Sequence, residues 1–215
     1  MNKASSELIR AAAVQGAVRD AAWTFAVRRG ELLWIPEAGD SGRPWLDWIT
    51  GIDPPPAGEI FWKGVEWRDR GPNEADAERG RIGCVFGQGG LLANLDMDEN
   101  VWLPASMHRR ENAAEQIEKW ARFFDAWPLP PERAPAVSER MRRRLLWTRA
   151  WSGNPEALVL ERPLLGATPE DRDRLLEAIR AARDAGCAVV WLDEHMRPDV
   201  RAALEPLTKA ASQPV

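Results

Sequence analysis

Asn154-Pro155-Glu156-Ala157-Leu158-Val159-Leu160-Glu161-Arg162-Pro163 reads as a turn, four apolar residues in a row and a charged end stopped by proline. A short apolar run bounded by turn residues marks a strand buried on both faces, as in a parallel sheet covered by helices. The companion stretch is Glu37-Ala38-Gly39-Asp40-Ser41-Gly42-Arg43-Pro44-Trp45-Leu46. It follows a second apolar run, Leu32-Leu33-Trp34-Ile35, and precedes a segment with helical apolar spacing. That is the strand–loop–helix frame of a phosphate-binding loop, yet the Lys and the Ser/Thr that such a loop presents are missing.

The remaining runs give an α/β order. Toward the N-terminus, Leu8-Ile9 onward, Val14 to Val18 around Gly16, and the alternating Trp23-Thr24-Phe25-Ala26-Val27 predict short strands before the turn Arg28-Arg29-Gly30. Pro44 suits the first turn of a helix, where an N–H is not needed, and Gly51 ends that helix. A proline turn at 54–58 leads into a strand at 59–64, and the charged residues 68–80 predict a loop or a frayed helix. The strand Arg81 to Phe86 breaks sharply at Gly87-Gln88-Gly89-Gly90, a flexible joint. Ala114, Ile117, Trp120, Ala121 and Phe124 give helical spacing over 111–126, stopped by Pro128, Pro130 and Pro131. Ser138 caps a helix running to 151, Thr168-Pro169-Glu170 opens another to 185, a strand covers 187–192, and a last helix starts at 198. The expected architecture is a mostly parallel sheet with antiparallel N-terminal strands and a small helical subdomain. Residues 1–87 and 138–215 form the expected core, and 88–137 the helical insert.

Bulk properties are those of an ordinary globular chain. Its 215 residues, 45% of them hydrophobic, suffice for one full core. No run reaches the roughly 18 to 20 apolar residues that span a bilayer, and Met1-Asn2-Lys3-Ala4-Ser5-Ser6-Glu7 has no leader-like pattern. A cytoplasmic location is the expectation. Cys84 and Cys187 each lie in a strand-like run and read as buried free thiols. A net charge of -4 argues against nucleic acid as a partner, and the cluster Arg140, Arg142, Arg143, Arg144 reads as a solvated face or as partners of nearby acids. Of the 12 tryptophans, Trp45, Trp48, Trp102, Trp147 and Trp151 fall at helix or loop positions that could serve an interface, but core packing is the ordinary role.

Several landmarks together carry a family resemblance. Gly51-Ile52-Asp53-Pro54-Pro55-Pro56-Ala57-Gly58-Glu59-Ile60, then Val85-Phe86-Gly87-Gln88-Gly89-Gly90-Leu91-Leu92 with Glu99-Asn100-Val101 and Leu103-Pro104, then Arg142 to Ala150 and Asn154-Pro155-Glu156, occur in that order. From about residue 8 to 206 the chain resembles the nucleotide-binding subunit of ABC transporters, an ABC-type P-loop NTPase fold. The Q-loop flavour is most similar to the subunits of Mla-type lipid transporters, with lipoprotein-releasing transporters close behind.

The resemblance implies ATP and Mg as ligands, and it implies losses at the positions that hold them. In the phosphate loop, Glu37 stands at the first glycine, Gly39, Ser41 and Gly42 remain, Arg43 takes the Lys position, Pro44 the Ser/Thr, and Trp45 the next hydroxylated residue. A guanidinium fork is larger and differently directed than an ammonium, and proline removes both a hydroxyl ligand and an N–H donor. Glu161 matches the carboxylate that holds magnesium through water. Arg162 stands at the general-base position, where an always-protonated side chain cannot accept a proton. The Q-loop glutamine aligns with Gly87, or with Gln88 by a one-residue shift; the switch histidine aligns with Glu194, or with His195 by the same shift. The signature aligns with Val137-Ser138-Glu139-Arg140-Met141, keeping the serine and losing both glycines.

The implied function is that of a degenerate subunit, a pseudo-ATPase with no tightly held cofactor. It would be peripheral at the inner face of the cell membrane, docked to a transmembrane permease and paired as a homodimer or heterodimer. The alternative is a divergent ATPase using Arg43, Glu161 and a repositioned Gln88 or His195. His108 has no constellation around it, and Asp193-Glu194 reads as a solvated turn.

Overall fold

The computed structural model describes residues 7–16, 21–36, 44–210 and, as backbone, 212–213. The segment that carries Glu37, Gly39, Ser41, Gly42 and Arg43 lies outside the described residues, as do 17 and 18 of the second expected strand.

Two sheets share the core. The first is antiparallel and contains β1 (Glu7–Gln15), β2 (Ala22–Arg28), β4 (Ala57–Trp62), β5 (Val65–Glu66) and β10 (Ser212–Gln213), in the order β10-β2-β1-β4-β5. Leu8-Ile9 and Val14-Gln15 are one continuous strand rather than two, because irregular register between Ala11 and Val14 lets β1 bend without breaking. The second sheet orders β6 (Ile82–Val85), β7 (Ala157–Glu161), β8 (Ala188–Leu192), β3 (Leu32–Ile35) and β9 (Thr208–Lys209) as β6-β7-β8-β3-β9, all pairs parallel. The four runs of β3, β6, β7 and β8 are apolar because both their faces are covered; every residue of β3 and β8 is buried.

Helices supply the cover. Between the two sheets sits α1 (Trp45–Thr50), whose Trp45 and Trp48 join Trp23 and Phe25 in a cluster of ring centroids 5.2 to 5.6 Å apart. Gly51 closes α1 with φ of 67°, and a Cβ there would overlap the Trp67 indole. On the other face of the parallel sheet, α5 (Glu139–Ser152) and α6 (Pro169–Asp184) bury Trp147, Trp151, Leu175 and Ile179. Ser138 accepts the Met141 N–H at 3.3 Å and so caps α5, and Thr168 caps α6, its Oγ1 accepting the Asp171 N–H at 3.3 Å while its own N–H donates to Asp171 Oδ2 at 3.2 Å. The last helix, α7 (Pro198–Leu204), lies between β8 and β9 in chain order.

One element settles an alternative that the sequence left open, and another differs from the expectation. Residues 72–79, within the stretch read as loop or frayed helix, form α2 (Pro72–Arg79), started by a proline that needs no N–H donor. The insert holds two helices, α3 (Met97–Met107) and α4 (Ala113–Phe123), of which only α4 was legible by period. Pro104 inside α3 obscures it, although Glu99 reaches back to the Asp96 N–H at 2.9 Å as a capping residue does. Met97, Val101 and Ile117 pack with Leu145 of α5 in a separate apolar cluster, which ties the insert to the core. Trp45, Trp48, Trp147 and Trp151 are core residues; Trp102 is 37% exposed. Both cysteines are free thiols. By exposed area Cys84 is only half-buried, but its sulfur is enclosed, and burial pushes both thiols up to about 12.

Candidate functional site

The parallel register aligns Val85 with Leu160 and Glu161 with Leu192, so β6, β7 and β8 end side by side. Their next residues, Phe86-Gly87-Gln88, Arg162 and Asp193-Glu194-His195, therefore converge in one crevice at the carboxyl edge of the sheet. That edge is where open α/β sheets bind ligands.

Glu161 and Gly87 meet directly. The Gly87 N–H donates to Glu161 Oε2 at 3.1 Å. A Cβ on Gly87 would lie 3.1 Å from Glu161 Cγ, so the extra methylene of Glu161 uses the room that a side chain at 87 would take. Arg143 clamps the same joint from below, donating from Nη1 to Phe86 O at 2.8 Å and from Nη2 to Gly87 O at 3.1 Å. Burial holds this guanidinium below the usual arginine range, with Glu139 and Glu161 pulling the other way. On α1, burial followed by the charges of Asp53 and Glu161 raises the Asp47 carboxyl.

Arg162 adopts φ of 41°, in the left-handed region that non-glycine residues seldom occupy, while its N–H donates to Leu192 O at 2.8 Å. Its Nη2 lies 3.7 Å from Glu194 Oε1, and Glu194 is half exposed, so the pair is a screened one. Burial, the largest influence, raises the Asp193 carboxyl, while the His195 N–H donates to its Oδ1 at 3.4 Å. Trp34 Nε1 fixes the turn by donating to Asp193 O at 2.8 Å. The cleft over this turn, lined by Arg162, Trp191, Glu194, His195 and Arg197 among others, measures about 370 Å³. A second cleft of about 330 Å³ runs between Gln88 and the start of α5, with Glu139, Arg142 and Arg143 on its wall.

The signature-like residues divide. Val137 is buried, Ser138 caps α5, and Glu139 is exposed toward the second cleft. Arg140 turns back into the molecule: its Nε donates to Asp171 Oδ2 at 2.7 Å and its Nη2 to Oδ1 at 3.2 Å. Arg144 Nε donates to the same Oδ1 at 2.9 Å, and its Nη1 donates to Asp125 Oδ2 at 2.6 Å. Burial by itself would raise the Asp171 carboxyl, but the bonds from Arg140, Arg144 and Thr168 outweigh it and hold the group far below the usual carboxylate range. Arg140 and Arg144 thus meet the expectation that the basic cluster pairs with acids; Arg142 and Arg143 bond backbone carbonyls instead.

Of the residues expected in the phosphate loop, only Pro44 and Trp45 are described. Pro44 is the N-cap of α1, and Trp45 is 2% exposed, its indole among Trp23, Phe25 and Trp48. Sequence reasoning missed Arg143, Asp171 and Asp47. Asp171 had a signal, the Thr168-x-x-Asp171 spacing of a capping box. Arg143 had none, since its partners lie far away in sequence, and Asp47 had none, since burial dominates its shift.

A family model described as "ABC transporter" matches residues 24–164. The chain belongs to the ABC transporter family. Among curated relatives, this cassette is 27% identical over 179 residues to a methionine import ATP-binding protein, MetN, of Mesorhizobium japonicum, covering 80% of the cassette and 48% of that protein. It is 27% identical over 182 residues to a ribose import ATP-binding protein, RbsA 2, of Streptomyces coelicolor, covering 80% and 34% respectively. The cassette thus spans half or less of the length of these two relatives. Its fold matches the dimeric structure of a bacterial ABC transporter cassette with a TM-score of 0.78 at 19% identity over 91% of each chain. A post-hydrolysis dimer of an ATP-binding cassette with ADP and Pi gives 0.79 at 18% identity, again over 91% of each.

In this fold, magnesium and a nucleoside triphosphate would sit at the crevice. Glu161 has the charge to face a metal-bound water, but one of its oxygens accepts the Gly87 N–H, and no cluster of three metal-ligating side chains surrounds it among the described residues. The residue beside it offers a guanidinium, which donates and never accepts. This set does not fit the activation of water.

Proposed function

We propose that this ABC cassette is a degenerate nucleotide-binding subunit, a pseudo-ATPase with a structural or regulatory role in a bacterial membrane transporter. The observation that carries the proposal is Arg162, a permanent cation turned toward Glu194 at the position where a hydrolysing cassette needs a proton acceptor. Three others support it. Arg140 is committed to Asp171 inside its own chain, where a signature glycine would face a partner's nucleotide. Glu161 is committed to Gly87. Pro44 has no hydroxyl and no N–H for a phosphate or a metal.

In this proposal the insert at 88–137 and the Gln88 joint dock on a transmembrane permease. The cassette is then peripheral on the cytoplasmic face of the membrane and works as a homodimer or with a second cassette. A lipid or another envelope component is the proposed cargo, resting on the flavour of residues 88–104; the methionine and ribose of the relatives' names differ from each other and do not choose among cargoes. ATP and Mg are the ligands of any residual binding, without turnover.

Calorimetric titration with Mg-ATP, run beside a phosphate-release assay, tests the reading. No saturable heat at millimolar nucleotide, with no phosphate released, is the expected result. Saturable micromolar binding with turnover would overturn it in favour of a divergent ATPase that uses Arg43, Glu161 and a repositioned Gln88 or His195.

A further inference from the structure

Away from the crevice, a pocket of about 160 Å³ lies beside β6, the edge strand of the parallel sheet, lined by Ile82, Cys84, Phe86, Arg110, Arg149 and Gly153 among others. Gly153 and Pro155 of its lining precede β7, whereas the crevice follows the opposite end of that strand. Its two charged side chains are both arginines.

Neither guanidinium has a carboxylate partner among the described residues. Arg149 projects from the last turn of α5; its guanidinium lies 6.0 Å from the Phe86 ring and near the Cys84 thiol, whose burial keeps it neutral. Arg110 donates from Nη2 to the Gly80 carbonyl. A Cβ at 153 would overlap Arg110 Nη1, so the absence of a side chain there admits the guanidinium to the pocket. Burial lowers both arginines from their ordinary values, but not far enough to discharge them, since arginine stays protonated in proteins. Nearby acids are engaged elsewhere: Glu156 by Arg29, Lys63 and Arg81, and Glu78 by Lys63. A half-buried cation without a counter-charge is unfavourable, and it cannot escape by losing its proton as a lysine would.

We infer that this pocket binds a small oxyanion of phosphate size, held between Arg110 and Arg149. The site is independent of the crevice and of whether the cassette binds nucleotide. Its size excludes a nucleotide, since drug-sized ligands need pockets of roughly 300 Å³ or more. A planar fork of donors matches the oxygen pairs of phosphate or sulfate. The bound anion would bridge the loop after α3, through Arg110, to the end of α5, through Arg149, and so brace the insert against the core.

The test is calorimetric titration of the full chain with inorganic phosphate and with sulfate, at constant ionic strength set by chloride. Saturable binding of both is expected. Arg149→Met should weaken it by about tenfold or more, and Gly153→Ala, which displaces Arg110 while keeping its charge, should weaken it as well. Should the methionine variant fail to fold, Arg149→Lys keeps the charge and loses the fork, with a smaller loss expected. Glycerol phosphate separates the sources: affinity like that of free phosphate points to an esterified headgroup, exclusion to the free ion. No saturable binding of phosphate or sulfate, or equal affinity in the position-149 and Gly153→Ala variants, overturns the site.

Discussion

Replacing Asp171 by Asn tests the claim that the signature-like turn is welded into its own chain. Asp171 is 1% exposed and accepts from Arg140, Arg144 and Thr168. Breaking a buried pair by removing one partner costs about 3–5 kcal/mol, because the other charge is left uncompensated. The lower end applies here, since Arg144 keeps Asp125 at 2.6 Å and asparagine retains one acceptor oxygen. Arg140, with its side chain 43% exposed, adds little, as exposed pairs contribute about 0–1 kcal/mol. With an unfolding entropy of roughly 2.1 cal/mol/K per residue, the 215-residue chain should lose about 7 °C in Tm for about 3 kcal/mol. Thermal unfolding followed by circular dichroism at pH 7 measures it. Because the folded carboxyl is held below its unfolded value, its contribution is present above the ordinary aspartate range and lost as pH falls toward the folded value. The wild-type advantage should therefore shrink in acid. A Tm drop under about 2 °C at pH 7, or a gap that widens in acid, would refute the reasoning.

Gly87→Ala should destabilise by about 1–2 kcal/mol through contact with Glu161; in a Glu161→Ala background the same change should be nearly neutral, read from urea midpoints in a double-mutant cycle. Trp45→Thr, the residue that would restore the phosphate-loop pattern, should cost about 3–5 kcal/mol by emptying the Trp23–Phe25–Trp48 cluster, so attempts to restore nucleotide binding belong at 43 and 44; a stable threonine variant by calorimetry would contradict the packing. Burial would raise the Glu156 carboxyl, but bonds from Lys63, Arg29 and Arg81 bring it to about 2; stability from this cluster is present above the unfolded glutamate value and lost as pH falls toward 2, so Glu156→Gln should flatten the acid limb of a Tm-versus-pH curve. Alkylation of Cys84 and Cys187 by iodoacetamide at pH 8 should be slow in the native chain and fast in urea, because burial pushes both thiols up to about 12.

Much of the fold was legible because its signals are local. The apolar runs of β3, β7 and β8, the Ser138 and Thr168 caps and the glycine after α1 are each readable within a few residues. What failed locally was α3, where an internal Pro104 hides the period, while the charged composition around α2 left loop and frayed helix undivided. The crevice was half legible. Glu161, Gly87, Glu194 and Arg162 were named as candidates, but nothing in their spacing says that Glu161 spans to the Gly87 N–H or that Arg162 points to Glu194.

The sequence by itself determined which chemistry each position can perform, because protonation and hydrogen-bonding capacity belong to the side chain: a guanidinium at 162 never accepts a proton, and a proline at 44 never donates one. Tertiary structure alone decided where those capacities are spent. Arg140 meets Asp171 31 residues away, Arg143 meets Phe86 57 residues away, and Trp45 joins the core instead of a ligand. Such pairings depend on how α5 and α6 lie across the parallel sheet, and an arrangement set by the packing of whole faces leaves no mark in any short stretch of sequence.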